Sequence, residues 1–85
     1  SLYLRFEVKD KPGVLSQISR VLGDLNISIA SVIQKDSDPK NKTAELVITT
    51  HPAKEQAARE SVACLTALDV VVEINNLIRM EDLLA

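Results

Sequence analysis

Hydrophobic and polar positions along the chain follow two periods, one typical of strands and one typical of helices. Residues 2–8 alternate strictly between apolar and polar, which predicts a strand with one buried face. The apolar positions of this strand are Leu2, Leu4, Phe6 and Val8. From Val14 to Leu25 the apolar positions have helical spacing, which predicts an amphipathic helix ended by Asn26 in a left-handed cap. The predicted buried side of this helix consists of Val14, Leu15, Ile18, Val21, Leu22 and Leu25.

The remaining pattern predicts three more strands and a second helix. We expect strands at 27–34, 43–50 and 70–78, a polar loop at 35–42 and a helix at 53–68. The tail 79–85 is compatible with fraying, with an extended strand or with a segment that continues beyond it. This order, βαββαβ, predicts an α+β, ferredoxin-like fold in which a four-stranded antiparallel sheet carries both helices on one face.

The other face of the predicted sheet is a mixture of polar and apolar side chains. Its predicted members are Tyr3, Arg5, Glu7, Glu45, Val47, Thr49, Val71 and Glu73. The second strand is apolar on both sides, with Ile27, Ile29 and Ile33 on one and Ala30 and Val32 on the other. We therefore expect a second copy of the domain to cover it.

Composition narrows the class of protein. The chain has 85 residues, of which 46% are hydrophobic and 26% charged, as in a single globular domain. A net charge of −2 gives no general attraction to nucleic acid or to an anionic membrane. No apolar run reaches the ~18 residues of a membrane span, so we expect a cytoplasmic protein. The chain begins at Ser1 rather than Met, and we expect it to be a piece of a longer protein.

Catalytic and metal-binding chemistry finds little support in the sequence. An RNA-binding sheet would need outward aromatic residues, and only Tyr3 qualifies. A metal site in the first loop would need a cysteine pair there, whereas the single Cys64 lies on the second helix, where core packing is expected. A phosphatase on this fold would need an arginine where the first loop has Lys11, and His51 has no nucleophile or carboxylate partner.

The first loop offers a candidate site for a small charged ligand. Pro12 suits the first turn of a helix, and Gly13 allows close backbone approach. The N–H groups of Val14 and Leu15 then lie where free donors and the helix dipole favour a carboxylate. Asp10 is placed either to cap the helix or to accept hydrogen bonds from an ammonium group. The sequence alone leaves both roles of Asp10 open.

The run VKDKPGVLSQISRVLGDLNISIASVIQ resembles the opening of ACT domains, small regulatory modules of amino-acid-metabolising enzymes. The match rests on an acidic residue, any residue, Pro-Gly and a helix that ends in a turn before a strand. Within that family, the combination of LYLRFEVKDKPGVLSQI, ISIASVIQK and AELVITTHPAKE is most similar to the C-terminal domain of an NAD(P)-dependent oxidoreductase of threonine, methionine and isoleucine biosynthesis.

The resemblance implies a non-catalytic regulatory domain that binds an amino acid where two copies meet. The residues implied in binding are Asp10, Lys11, Pro12, Gly13, Val14 and Leu15 from the first loop and Asn26, Ile27 and Ser28 from the strand entry of the other copy. Asp10 would hold the ammonium group and Ser28 a side-chain hydroxyl, with threonine as the expected effector. NAD or NADP would bind elsewhere in the parent enzyme. The alternative is a structural dimerisation module without a ligand, in which the small Ser28 only lets two chains approach.

Overall fold

Four strands and two helices make up the part of the chain described by the computed structural model, which is residues 1–80 apart from the side chain of Asp36. In chain order they are β1 (Leu2–Lys9), α1 (Val14–Asp24), β2 (Ile29–Asp38), β3 (Thr43–Thr50), α2 (Glu55–Ala67) and β4 (Val71–Arg79). Of the predicted tail, Arg79 continues β4, and residues 81–85 lie outside the described part.

The strands form one antiparallel sheet in the order β2-β3-β1-β4. The alternation in β1 buries Leu2, Leu4, Phe6 and Val8 completely or nearly so, as predicted. Their side of the sheet packs against Ile18 of α1 and Leu65 of α2 in one hydrophobic core. The α+β, ferredoxin-like prediction is therefore confirmed.

Helix α1 buries a narrower stripe than the sequence predicts. Val14, Ile18 and Leu22 are buried, but Leu15 is 44% exposed, so its assignment to the core is wrong. Leu15 follows Val14 by one residue, which turns it about 100° around the helix and off the stripe.

The C-terminal end of α1 is capped by hydrogen bonds from the backbone that follows it. Asn26 has φ 59°, the predicted left-handed conformation. The N–H of Asn26 donates to the Gly23 carbonyl at 3.0 Å, and the N–H of Ile27 donates to the Leu22 carbonyl at 2.9 Å. These two bonds, with Leu22 and Ile27 both in the core, form a Schellman motif.

Strand β2 departs most from the prediction. It begins at Ile29 and reaches Asp38, so the predicted loop 35–42 is wrong over its first four residues. A register shift between Ile29 and Ser31 leaves Ala30 as an extra residue. Ile29 therefore lies on the helix side of the sheet, whereas Ile33 lies on the open side and is 51% exposed, and the predicted shared side is wrong.

Of the two valines predicted on the open face, Val71 lies on the other side and Val47 lies where predicted. Val71 pairs with Val8 and is buried on the helix side, because Val72 is an extra residue where β4 shifts register against β1. Val47 does lie on the open side, opposite Arg5 and Ile33, and is only 4% exposed.

Helix α2 begins at Glu55, two residues later than predicted. It buries Ala58, Ser61 and Leu65, and the Ser61 hydroxyl donates to the Ala58 carbonyl at 2.6 Å. Cys64 is exposed, so its predicted core packing is wrong.

Candidate functional site

The loop between β1 and α1 is held by its neighbours on two sides. The Lys9 N–H donates to the Val70 carbonyl at 2.8 Å, and the Asp10 N–H donates to the Lys42 carbonyl at 2.8 Å. The first bond ties the loop to the start of β4, and the second ties it to the β2–β3 turn. The backbone of Asp10 is thus fixed although its side chain is exposed.

The N-terminal end of α1 has no side-chain cap. Gly13 is the N-cap, with φ 85°, and no side chain caps the helix. The capping role weighed for Asp10 is therefore wrong, and Pro12 precedes the cap instead of lying in the first helical turn. The first turn holds no acidic residue either. Its free N–H groups and the positive end of the helix dipole remain available to an anion.

Gly13 is required by its backbone angle and not by crowding. A Cβ at this position would meet nothing within 4 Å, but φ 85° lies in the left-handed region that disfavours L side chains. Any other residue at this position would therefore be strained by its backbone conformation alone.

A cavity of about 360 Å³ opens beside this helix end. This volume falls in the range of small-molecule pockets, roughly 300–1,000 Å³. The cavity is lined by Val8, Lys9, Asp10, Lys11, Gly13, Val14, Leu15, Val32, Gln34, Ala44 and Leu46. One wall is therefore apolar, and the rim carries a carboxylate, two ammonium groups and the start of α1.

The charges at the rim suit a zwitterion. The Asp10 side chain makes no hydrogen bond or ion pair within residues 1–80 and is free to accept from an ammonium group. Lys9 is engaged with Asp69, with 3.4 Å between Nζ and Oδ2. A ligand carboxylate has the N–H groups that follow Gly13, with Lys11 nearby, as donors. The arrangement matches the two charged groups of a free amino acid.

The predicted residues fall into two groups. Five of the six loop residues line the cavity, and Pro12 does not. Asn26, Ile27 and Ser28 lie at the opposite end of α1, whose eleven residues span about 16 Å. Ile27 is buried in the core, Asn26 lines a separate cavity, and the Ser28 carbonyl accepts from the His51 N–H at 2.9 Å.

Val32 and Gln34 line the cavity but were missed by sequence reasoning. Both lie on the helix side of β2, opposite Ile48 and Leu46. Gln34 was detectable as the polar residue that directly follows the apolar pair Val32-Ile33, but the extra residue Ala30 upstream obscured the side to which it belongs.

Other candidate chemistry is sparse in residues 1–80. No group of three or more His, Cys, Asp or Glu side chains there is placed to hold a metal ion. On the open side of the sheet, Arg5 Nε lies 3.1 Å from Glu45 Oε1. Nε is buried and makes no directional hydrogen bond, so this contact is an ion pair only. No helix in the same residues has the length and apolar character to span a membrane.

Comparison with known proteins decides the family. The profile of the ACT domain matches residues 2–69. The chain belongs to the ACT domain family. The resemblance seen in the sequence is thereby confirmed, and the narrower similarity, to the C-terminal part of a biosynthetic oxidoreductase, is to homoserine dehydrogenase.

Relatives of this ACT domain are homoserine dehydrogenases. The enzyme of Neisseria gonorrhoeae is 43% identical over 83 residues, which cover 98% of this chain and 19% of that protein. The enzyme of Methylobacillus glycogenes is 38% identical over 81 residues, or 95% of this chain and 20% of that protein. The ACT domain thus spans about a fifth of the length of these relatives.

A solved structure agrees with the sequence relatives. The crystal structure of a homoserine dehydrogenase from Thiobacillus denitrificans matches with a TM-score of 0.80 at 33% identity. The match covers 92% of this chain and 16% of that one. Fold and sequence therefore indicate the same group of relatives.

Proposed function

We propose that this ACT domain is the amino-acid-sensing regulatory domain of a homoserine dehydrogenase and that its effector is L-threonine. The observation that carries the proposal is the cavity at the start of α1, where Asp10 and the uncapped helix end meet an apolar wall. In this binding mode Asp10 accepts hydrogen bonds from the ammonium group. The N–H groups of Val14 and Leu15 donate to the carboxylate.

The side chain of the effector meets the wall of the cavity. Val32 and Leu46 suit the threonine methyl group, and Gln34 offers an amide to the hydroxyl group. A larger aliphatic side chain would forgo the hydrogen bond that the exposed Gln34 amide offers to the hydroxyl group. This difference favours threonine over isoleucine.

A second copy of the domain completes the proposed site. Asn26, Ile27 and Ser28 lie too far from Asp10 to join it within one chain, so they act from a partner protomer, Ile27 through its backbone because its side chain is buried. Strand β2 is an edge of the sheet and exposes Ile33 by 51%, which supports association there. Threonine bound between two protomers favours one arrangement of the dimer, and the coupling to attached catalytic domains is typically ~1–3 kcal/mol.

The parent enzyme is proposed from the relatives. We infer that the chain is the C-terminal part of a cytoplasmic homoserine dehydrogenase that uses NAD or NADP. The cofactor belongs to the catalytic part, because Gly13 and Gly23 are the two glycines of the chain and cannot make a three-glycine dinucleotide fingerprint. The ACT domain itself is regulatory and not catalytic.

Titration calorimetry of the 85-residue chain with threonine, isoleucine, methionine and serine tests the sensing role. We expect saturable heat with threonine and a loss of affinity of about 10-fold or more in Asp10→Ala, since hydrogen bonds to charged groups contribute about 1.5–3 kcal/mol. Asp24→Ala is the matched control, because Asp24 is an exposed aspartate at the other end of α1. A folded sample that gives no saturable heat with any of the four amino acids refutes the sensing role.

The alternative function is a structural dimerisation module without a ligand. It is favoured by the exposed Ile33 on edge strand β2, which a second copy would cover whether or not a ligand binds. Sedimentation with and without threonine separates the two functions. A scaffold gives the same dimerisation constant in both samples, whereas a sensor gives tighter dimerisation with threonine.

A further inference from the structure

The turn between β2 and β3 is organised by one carboxylate. Asp38 ends β2, and its Oδ1 accepts from the Lys40 N–H at 3.0 Å and from the Asn41 N–H at 3.3 Å. Its Oδ2 accepts from the Asn41 side-chain amide at 2.8 Å. A side chain that accepts hydrogen bonds from the backbone two and three residues ahead stabilises the turn conformation.

The last residue of this turn, Lys42, has a strained backbone conformation and contacts the β1–α1 loop. Lys42 has φ 55°, a left-handed conformation that costs energy in a residue other than glycine. Its carbonyl accepts the N–H of Asp10 at 2.8 Å. The left-handed conformation of Lys42 is held on one side by the turn that Asp38 organises and on the other by this hydrogen bond.

The two loops share more than this bond. A cavity of about 260 Å³ between them is lined by Lys9, Asp10, Lys11, Asn41 and Lys42. The other backbone hydrogen bonds around the β1–α1 loop involve Lys9, Lys11 and Gly13, not Asp10. The hydrogen bond that the Asp10 N–H donates to the Lys42 carbonyl is therefore the direct restraint on the Asp10 backbone among residues 1–80.

We propose that the β2–β3 turn positions Asp10 for the ligand ammonium group, with Asp38 as the positioning residue. Asp38 does not touch the ligand and acts through the Lys42 carbonyl. The inference rests on the proposed function in so far as Asp10 binds an ammonium group. The β2–β3 turn, which does not line the 360 Å³ cavity, would thereby contribute to the affinity for the ligand.

Amide hydrogen exchange tests the positioning without any ligand. We expect the Asp10 N–H to exchange at least about fivefold faster in Asp38→Ala, because local opening becomes easier when the turn loses its hydrogen bonds. Asp38→Asn should restore part of the protection, since an amide oxygen accepts the same backbone N–H groups without the negative charge. Lys40→Ala is the matched control in the same turn, because Lys40 contributes its backbone N–H to Asp38. Unchanged Asp10 exchange in Asp38→Ala overturns the inference.

A double-mutant cycle with threonine tests the consequence for binding. We expect Asp38→Ala to weaken threonine about fivefold in the native chain and to have no further effect in an Asp10→Asn background. Equal losses in both backgrounds would mean that Asp38 acts on stability alone, which overturns the positioning role. If the native chain binds no threonine, the proposed function fails, and the exchange experiment alone decides whether the turn fixes Asp10.

Discussion

Gly13 and Asn26 lie at opposite ends of helix α1, and both have left-handed backbone conformations, with φ 85° and 59°. The two residues end the helix differently. Asn26 closes the C-terminal end, where Ile27 donates to Leu22 and packs beside it. Gly13 leaves the N-terminal end open, because it has no side chain to cap the free N–H groups. The open end faces the cavity, and the closed end faces away from it.

Replacing the two glycines of the chain by alanine should change stability in opposite directions. Gly13→Ala should lower the free energy of unfolding by about 1–2 kcal/mol, the cost of a left-handed L residue. Gly23→Ala should raise it by about 0.5–1 kcal/mol, because Gly23 lies inside α1 with open space around its Cα. Urea unfolding measures both. Destabilisation by Gly23→Ala, or none by Gly13→Ala, would contradict this account.

The elements predictable from the sequence are those whose burial follows a single period. β1 alternates without interruption from Leu2 to Val8, and α1 repeats at Val14, Ile18 and Leu22, so both emerge at nearly their observed bounds. The first-loop part of the cavity lining was predictable for a similar reason. Asp10 and Gly13 are residue types with specific backbone and charge roles that need no knowledge of the tertiary structure.

The errors arise where tertiary contacts override the local pattern. The extra residues Ala30 and Val72 shift the side on which the following residues lie, and a register shift depends on the partner strand. Polar residues of β2 form strand because β3 pairs with them. Gln34 lines the candidate cavity for this reason, so its position there could not be predicted from its own sequence neighbourhood.

Alanine substitutions at Leu15 and Leu22 should have different effects, the first on ligand affinity and the second on stability. Leu22 is fully buried, and Leu22→Ala should cost about 2–5 kcal/mol of unfolding free energy. Leu15 is 44% exposed and lines the cavity, so Leu15→Ala should change stability by less than about 0.5 kcal/mol. Its effect should be on threonine affinity, which we expect to fall about fivefold through lost apolar contact. Calorimetry and urea unfolding of both variants provide the check, and unchanged affinity in Leu15→Ala would remove this residue from the site.

Three glutamates form a row across the open side of the sheet. Glu7 of β1 lies directly opposite Glu45 of β3 and Glu73 of β4. Like charges directly opposite one another destabilise a sheet. Glu73→Lys should therefore raise the free energy of unfolding by about 0.2–1 kcal/mol, and Glu73→Gln by less.

Salt provides the control for this row of charges. The gain from Glu73→Lys should shrink in 1 M NaCl, where the screening length falls to about 3 Å. Thermal unfolding at low and high salt measures the difference. A gain that is independent of salt would indicate that strand propensity, and not charge, is responsible.

The stability of the β2–β3 turn should depend on the ionisation of Asp38. The Asn41 backbone N–H, followed by the Asn41 side chain, lowers the pKa of Asp38 below its ordinary value of 3.8. A carboxyl group with a depressed pKa in the folded state stabilises above its unfolded pKa, and this contribution is lost as the pH falls through the folded pKa. The native chain should thus be more stable than Asp38→Asn at pH 7, and the difference should shrink below about pH 4.

Urea unfolding of the native chain and Asp38→Asn at several pH values between 7 and 2.5 gives this difference directly. Comparing the two proteins cancels the titration of the other carboxyl groups, which both retain. Lys40→Ala, which keeps the Asp38 carboxylate and the Lys40 backbone N–H, should lose stability with falling pH in parallel with the native chain. A difference between native and Asp38→Asn that stays constant across this range would show that charge on Asp38 does not hold the turn.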